Sequence, residues 1–148
     1  GNTSAATSNF AVTGDTTAPT VSSVYSDNAS GRYKQPCVLG IKVRFDEVVV
    51  VTGTPKILME TGSTDDNATY SNNSSSNELL FLLNLQSGMV FTDLDYKTTG
   101  SLTLNGGTIR DNAGNNATLT LPSPSNDGLL SSGELLFNTK ASSSCDGS

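Results

Sequence analysis

The 148-residue sequence predicts an all-β fold, a two-layer sandwich of about seven to nine short strands with Greek-key connections. Three observations carry that prediction. Short runs of Val, Ile, Leu and Phe recur at near-regular spacing, parted by segments rich in Ser, Thr, Asn and Gly. The clearest run, Ile41, Val43 and Phe45, has period two, with Lys42 and Arg44 on the other face. No stretch has the 3.6-residue repeat of an amphipathic helix.

In chain order, Pro19 enforces extended backbone, and Thr20 to Tyr25 reads as the first strand, ending at the turn-rich segment 26–31. Gly31-Arg32-Tyr33 reads as a turn leading into the strand that contains Val38 to Phe45. Asp46-Glu47 then precedes a β-branched run, Val48 to Val51, and a turn at Gly53-Thr54-Pro55. Lys56 to Thr61, the short Ala68 to Tyr70, and Glu78 to Leu85 follow as strands, the last buried on much of both faces. Tyr96 to Leu104 is the next, with Tyr96 placed to form a tyrosine corner. The segment 105–115 is turn-rich, Ala117 to Leu121 is a strand, and Glu134 to Asn138 is the last.

Composition removes several functions. Hydrophobic residues are 34 % of the chain, low for a globular protein but ordered too regularly for a disordered one. Eight basic and fourteen acidic residues give a net charge of −6, which excludes a nucleic-acid surface and leaves cations as partners. No apolar run reaches the roughly 20 residues that span a bilayer, so no membrane insertion is expected. There is no histidine, which excludes Ser-His and Cys-His catalysis and ordinary zinc or copper sites.

The two ends echo each other: Phe10-Ala11-Val12-Thr13-Gly14-Asp15-Thr16 and Leu135-Leu136-Phe137-Asn138-Thr139 are each an apolar run followed by Asx and Thr. Tandem repetition accounts for this, with the start of the chain as the last strand of a preceding module. Five motifs then occur in order: Asp15-Thr16-Thr17-Ala18-Pro19-Thr20-Val21; Gly31-Arg32-Tyr33 leading to Ile41-x-Val-x-Phe-x-Glu47; Gly53-Thr54-Pro55; Asp93-Leu94-Asp95-Tyr96; and Gly106-Gly-Thr-Ile-x-Asp-x-Ala-Gly-Asn115. This series resembles the bacterial immunoglobulin-like repeats of large surface adhesins. The resemblance implies an immunoglobulin-like β-sandwich over residues 15–139. Residues 1–14 are then a linker or the last strand of a neighbour, and residues 140–148 a C-terminal tail. Location would be secreted or cell surface, and the partners neighbouring immunoglobulin-like modules of the same chain. Cys37 and Cys145 and the tail stand outside the repeat pattern, as expected of a terminal or near-terminal copy, or of a longer chain cut at that point.

Sandwich topology gathers the acids at two poles. Asp15, Asp46, Glu47 and Asp111 fall at the first, beside Asn112 and Asn115; Asp27, Asp93 and Asp95 fall at the second, where the chain leaves. A hard cation such as Ca2+ takes six to eight oxygen ligands, which the first set is the better placed to supply. Surface repeats of this kind use calcium at module junctions, and the resemblance implies the same here. The competing readings are structural: Asp111 to Asn115 is a good turn sequence whatever it binds, and Asp65-Asp66 is a solvated loop. Glycan hydrolysis by paired acids needs a cleft that a small sandwich lacks, and there is no Trp to stack on a sugar.

Cys37 and Cys145 fall near the exit pole, so a disulfide is expected there, closing a loop of about one hundred residues and contributing roughly 4 kcal/mol. Two free thiols or a bridge between chains are the alternatives. The functional expectation is a non-enzymatic adhesin or fibre module. The second reading is a fibre tip, as a homotrimer, that binds a glycan or a host or target-cell surface through the segments 62–77 and 122–133. The third is a glycan-active enzyme domain.

Overall fold

A computed structural model describes residues 14–26, 31–33, 37–61, 64–72, 75–85, 94–124 and 135–137. The described residues form no helix. They form ten strands: β1 (Val21–Ser26), β2 (Gly31–Tyr33), β3 (Cys37–Thr52), β4 (Lys56–Glu60), β5 (Asp66–Asn72), β6 (Ser75–Leu85), β7 (Asp95–Tyr96), β8 (Leu102–Thr103), β9 (Thr108–Arg110) and β10 (Leu135–Phe137). This is the all-β sandwich that the strand spacing predicts, of the immunoglobulin-like class that the resemblance implies.

One sheet path runs β1-β3-β6-β5-β4-β7, with β8 on β4 and β9 on β3, while β10 lies parallel to β2 in a separate pair. β3 and β6 are neighbours though distant in sequence, which gives the β3-β6-β5-β4 strand order of a Greek key. Their register sets Leu39 opposite Leu83, Ile41 opposite Phe81 and Val43 opposite Leu79. All six are buried, and they join Ile57, Met59, Tyr96, Leu102, Ile109 and Leu121 in one core. Each such side chain contributes on the order of 1.5–3 kcal/mol through burial. In β6, Leu80 and Leu82 point away from that core and are half-buried, so both faces of the strand are covered to different degrees.

β3 extends beyond the predicted limit at Phe45. Its register with β6 jumps between Arg44 and Val49, where β3 carries more residues than the strand opposite, after which Val50, Val51 and Thr52 pair with β9. The even alternation of Phe45, Val49 and Val51 continues through the bulge, so Glu47 occupies a position of core-facing parity.

Four local expectations change. Tyr96 to Leu104, read as one strand, is two short ones, β7 and β8, parted by a turn in which Ser101 N bonds Thr98 O at 3.1 Å. Gly31–Tyr33, read as a turn, has strand backbone paired with β10. Thr108–Arg110, read within a loop, is the strand that receives the end of β3. The stretch 117–121 keeps its alternation, ending on buried Leu121, but makes no ladder. Its partners change residue by residue: Ala117 N bonds Ile109 O at 2.9 Å, Thr118 N bonds Pro19 O at 2.8 Å, and Leu121 N bonds Thr99 O at 2.8 Å. Alternation reports burial, whereas a ladder needs one continuous neighbour.

Tyr96 does anchor to backbone, but forward rather than upstream: its hydroxyl donates to Pro122 O at 2.5 Å. At the β3–β9 end, Gly53 (φ +74°) and Gly107 pass so closely that a side chain at either position would overlap backbone.

Candidate functional site

The carboxylates predicted for the first pole come from three separate parts of the chain. Asp15 precedes β1, Glu47 lies in the β3 bulge, and Asp111 follows β9. Their carboxylate oxygens lie within 4.8 Å of one another. Asp15 is exposed, Glu47 half-buried and Asp111 buried.

Asp111 is held by its own turn. Its Oδ1 accepts Asn115 N–H at 2.8 Å and its Oδ2 accepts Asn115 Nδ2 at 2.7 Å. The backbone closes the same loop, with Asp111 N bonded to Asn115 O at 3.1 Å and Gly114 N to Asp111 O at 3.2 Å. Gly114, at φ +95°, supplies the left-handed residue the turn requires. Burial works to raise the Asp111 pKa, but the bonds from Asn115 and from the backbone at 113 and 114 outweigh it, and the pKa is lowered. Asp111 is therefore held as an anion.

Asn115 has a second task. The same Nδ2 donates to Asp15 O at 2.9 Å and to Thr17 O at 3.3 Å, fastening the segment ahead of β1 to the loop after β9. Sequence reasoning placed Asn115 beside the acids as a further oxygen ligand; its amide N–H groups also organise the site.

Glu47 feels the opposite environment. Desolvation, followed by the charges of Asp15, Asp111 and Asp46, pushes its pKa up. Among the described residues no Lys or Arg forms an ion pair with any of the three carboxylates. The arrangement is an all-oxygen donor set with net repulsion, which matches what a hard cation takes.

Asp46 is turned elsewhere. Its Oδ1 accepts Thr20 N–H at 2.9 Å, its Oδ2 accepts the Thr20 hydroxyl at 2.7 Å, and Asp46 N donates to Thr20 O at 3.0 Å. The backbone and side-chain bonds from Thr20 lower its pKa. At the second pole, Asp95 is buried and its Oδ1 accepts its neighbour's N–H, Tyr96 N, at 2.8 Å. Asp27 and Asp93 lie outside the described residues. So does the expected bridge: the backbone of Cys37 opens β3, but its side chain and all of Cys145 are outside the described set. The segments 1–13 and 138–148 are outside it as well.

A further charged cluster escaped sequence reasoning. Lys97 Nζ lies 2.7 Å from Asp65 Oδ2 and 3.1 Å from Glu60 Oε2, so Asp65 is paired rather than simply solvated. Hydrogen bonding to Asp65 and then Glu60 raises the Lys97 pKa, and the Lys97 bond lowers that of Asp65. Nothing in the local sequence announces this trio, since Glu60 ends β4, Asp65 lies in the following loop and Lys97 comes directly after β7.

The family model described as bacterial Ig-like domain matches residues 15–125, most of the chain. No curated protein and no solved structure matched.

Proposed function

Because the chain belongs to the bacterial Ig-like domain family, we propose that it is a non-enzymatic module of a secreted or cell-surface bacterial adhesin, binding calcium where the chain joins the sandwich. The family fits a module of a bacterial surface protein and is typically non-catalytic. The observation that carries the reading is the convergence of Asp15, Glu47 and Asp111, within 4.8 Å, on the segment that leads into β1.

The residues fit calcium by the chemistry of the donor set: three carboxylates, one buried and preorganised, with their mutual repulsion unrelieved by any described cation. Asp15, Glu47 and Asp111 would hold the ion, which supplies charge neutralisation and a bridge between chain segments. Asn115 positions both Asp111 and the backbone of Asp15. Catalysis finds no support in the residue types, since the chain has no Trp to stack on a sugar and no His to act as a base.

The test is light scattering on size-exclusion eluates, with scanning calorimetry, in calcium and in chelator. A monomer whose melting temperature rises with calcium is expected. A trimer that scores on a glycan array would replace the module reading with the fibre-tip reading. Turnover of a glycan would overturn the non-enzymatic reading.

A further inference from the structure

The segment Asp15 to Thr20 leads into β1 without belonging to a ladder, yet four of its six residues are tied to two different parts of the sandwich. On one side, Asn115 Nδ2 holds Asp15 O and Thr17 O at 2.9 and 3.3 Å, and Thr118 N holds Pro19 O at 2.8 Å. On the other side is Asp46. The β1–β3 register pairs Val21 with Phe45, so Thr20 and Asp46 form the next rung. There the Asp46 carboxylate takes the place of a backbone carbonyl, accepting Thr20 N–H at 2.9 Å and the Thr20 hydroxyl at 2.7 Å. Asp46 N returns a bond to Thr20 O at 3.0 Å.

Bonds between antiparallel neighbours lie across the strands. Tension drawn along the lead-in therefore loads the Thr20–Asp46 bonds together, in shear, rather than one after another. Bonds to an ionised acceptor are also about twice as strong as neutral ones. We propose that Asp46 and Asn115 form a mechanical latch that passes tension arriving before Asp15 into β3 and the loop after β9, so that β1 is not peeled from the sheet. The latch rests on the reading of this chain as a module in a load-bearing fibre.

The experiment is single-molecule pulling at constant force on the full chain, held between handles, in chelator. With handles at the two ends, Asp46→Ala raises the unfolding rate roughly tenfold, the scale of two charge-assisted bonds under load. With the first handle moved to the exposed loop residue Thr64, the lead-in carries no load, and the same variant unfolds within about threefold of wild type. Thr20→Val removes the hydroxyl bond without stranding a charge, and gives a rise of about threefold in the end-to-end geometry alone. It keeps the test open if Asp46→Ala fails to fold. An Asp46→Ala effect of equal size in both geometries would make Asp46 an ordinary stabilising residue and overturn the latch. Wild-type rates for both variants would overturn it too. Protease shaving of intact cells addresses the fibre reading separately: a chain protected inside the cell refutes that reading and leaves the pulling data to judge the latch.

Discussion

The two adjacent glycines at 106 and 107 are required for different reasons, and alanine at each separates those reasons. Gly106 sits at φ +84° with nothing within 4 Å of the place a Cβ would take, so Gly106→Ala meets only the left-handed backbone penalty, about 1–2 kcal/mol. At Gly107 a Cβ would lie 2.1 Å from Thr52 O and 3.1 Å from Gly53 Cα. Relief needs a shift of about 1 Å in backbone, a displacement of the overpacking kind. The displaced groups are not loose. Thr52 pairs with Thr108 at the end of the β3–β9 ladder, their hydroxyls are 2.7 Å apart, and Thr108 N donates to Thr52 Oγ1 at 3.1 Å. Adding one or two lost hydrogen bonds to the overpacking strain gives about 3–4 kcal/mol for Gly107→Ala. For a domain of this size that lowers the melting temperature by about 10 °C, against about 5 °C for Gly106→Ala. The measurement is urea unfolding followed by circular dichroism and tyrosine emission, comparing midpoints at unchanged slope. Equal losses, or a milder Gly107→Ala, would refute the argument that close backbone approach dictates Gly107.

Three other outcomes follow from the same structure. Tyr96→Phe removes the donor to Pro122 O and leaves that carbonyl without it, lowering stability by about 1–2 kcal/mol, read from the midpoint of thermal unfolding. Because the folded pKa of Asp46 is depressed, its contribution is full above its ordinary value of 3.8 and is lost as pH falls through the folded value; Asp46→Asn should flatten the acid limb of a stability–pH curve, and an unchanged limb would count against the Thr20 bonds. Glu47 has the reverse sign: its raised pKa means repulsion is fully present above the folded value and relieved as pH falls toward 4.5. Glu47→Gln in chelator should therefore stabilise at neutral pH while abolishing the calcium-dependent rise in melting temperature. In wild type the proposed rise would correspond to about 2.7 kcal/mol at a hundredfold excess over Kd.

What the sequence disclosed depended on how local the signal was. The alternation of Ile41, Val43 and Phe45 and the run Leu79 to Leu85 gave the core strands directly, because burial of one face has a fixed period. Strand partners are non-local, so the same alternation at 117–121 could not reveal that Ala117, Thr118 and Leu121 bond three different segments. β9 was hidden for a related reason. Thr108 to Arg110 has only three residues beside a Gly-rich turn, and only the second half of β3, arriving from far away in the chain, makes it a strand. Among the acids, topology could bring Asp15, Glu47 and Asp111 to one end. It could not say that Asp46, one residue from Glu47, would bind Thr20, since that partner is set by the register of β1 on β3, which is non-local.

That alternation links the two features at this end of the molecule. Glu47 has the parity of Phe45 and Val49, which are both fully buried, yet it lies in the bulge and stays half-buried. An apolar residue there would extend the core; a carboxylate adds repulsion with Asp15 and Asp111 that the fold does not relieve by itself. Asp46, of opposite parity, spends its charge on Thr20 and leaves Glu47 as the acid facing inward along the strand. One dipeptide thus divides two tasks between two faces: Asp46 ties the lead-in to the sheet, and Glu47 holds negative charge against the core's end. If that division holds, exchanging the pair as Asp46→Glu with Glu47→Asp keeps the net charge but should impair both the latch and the calcium response, because neither carboxylate then has the reach its face requires. A double variant that retained both would show that charge in this segment matters and side-chain placement does not.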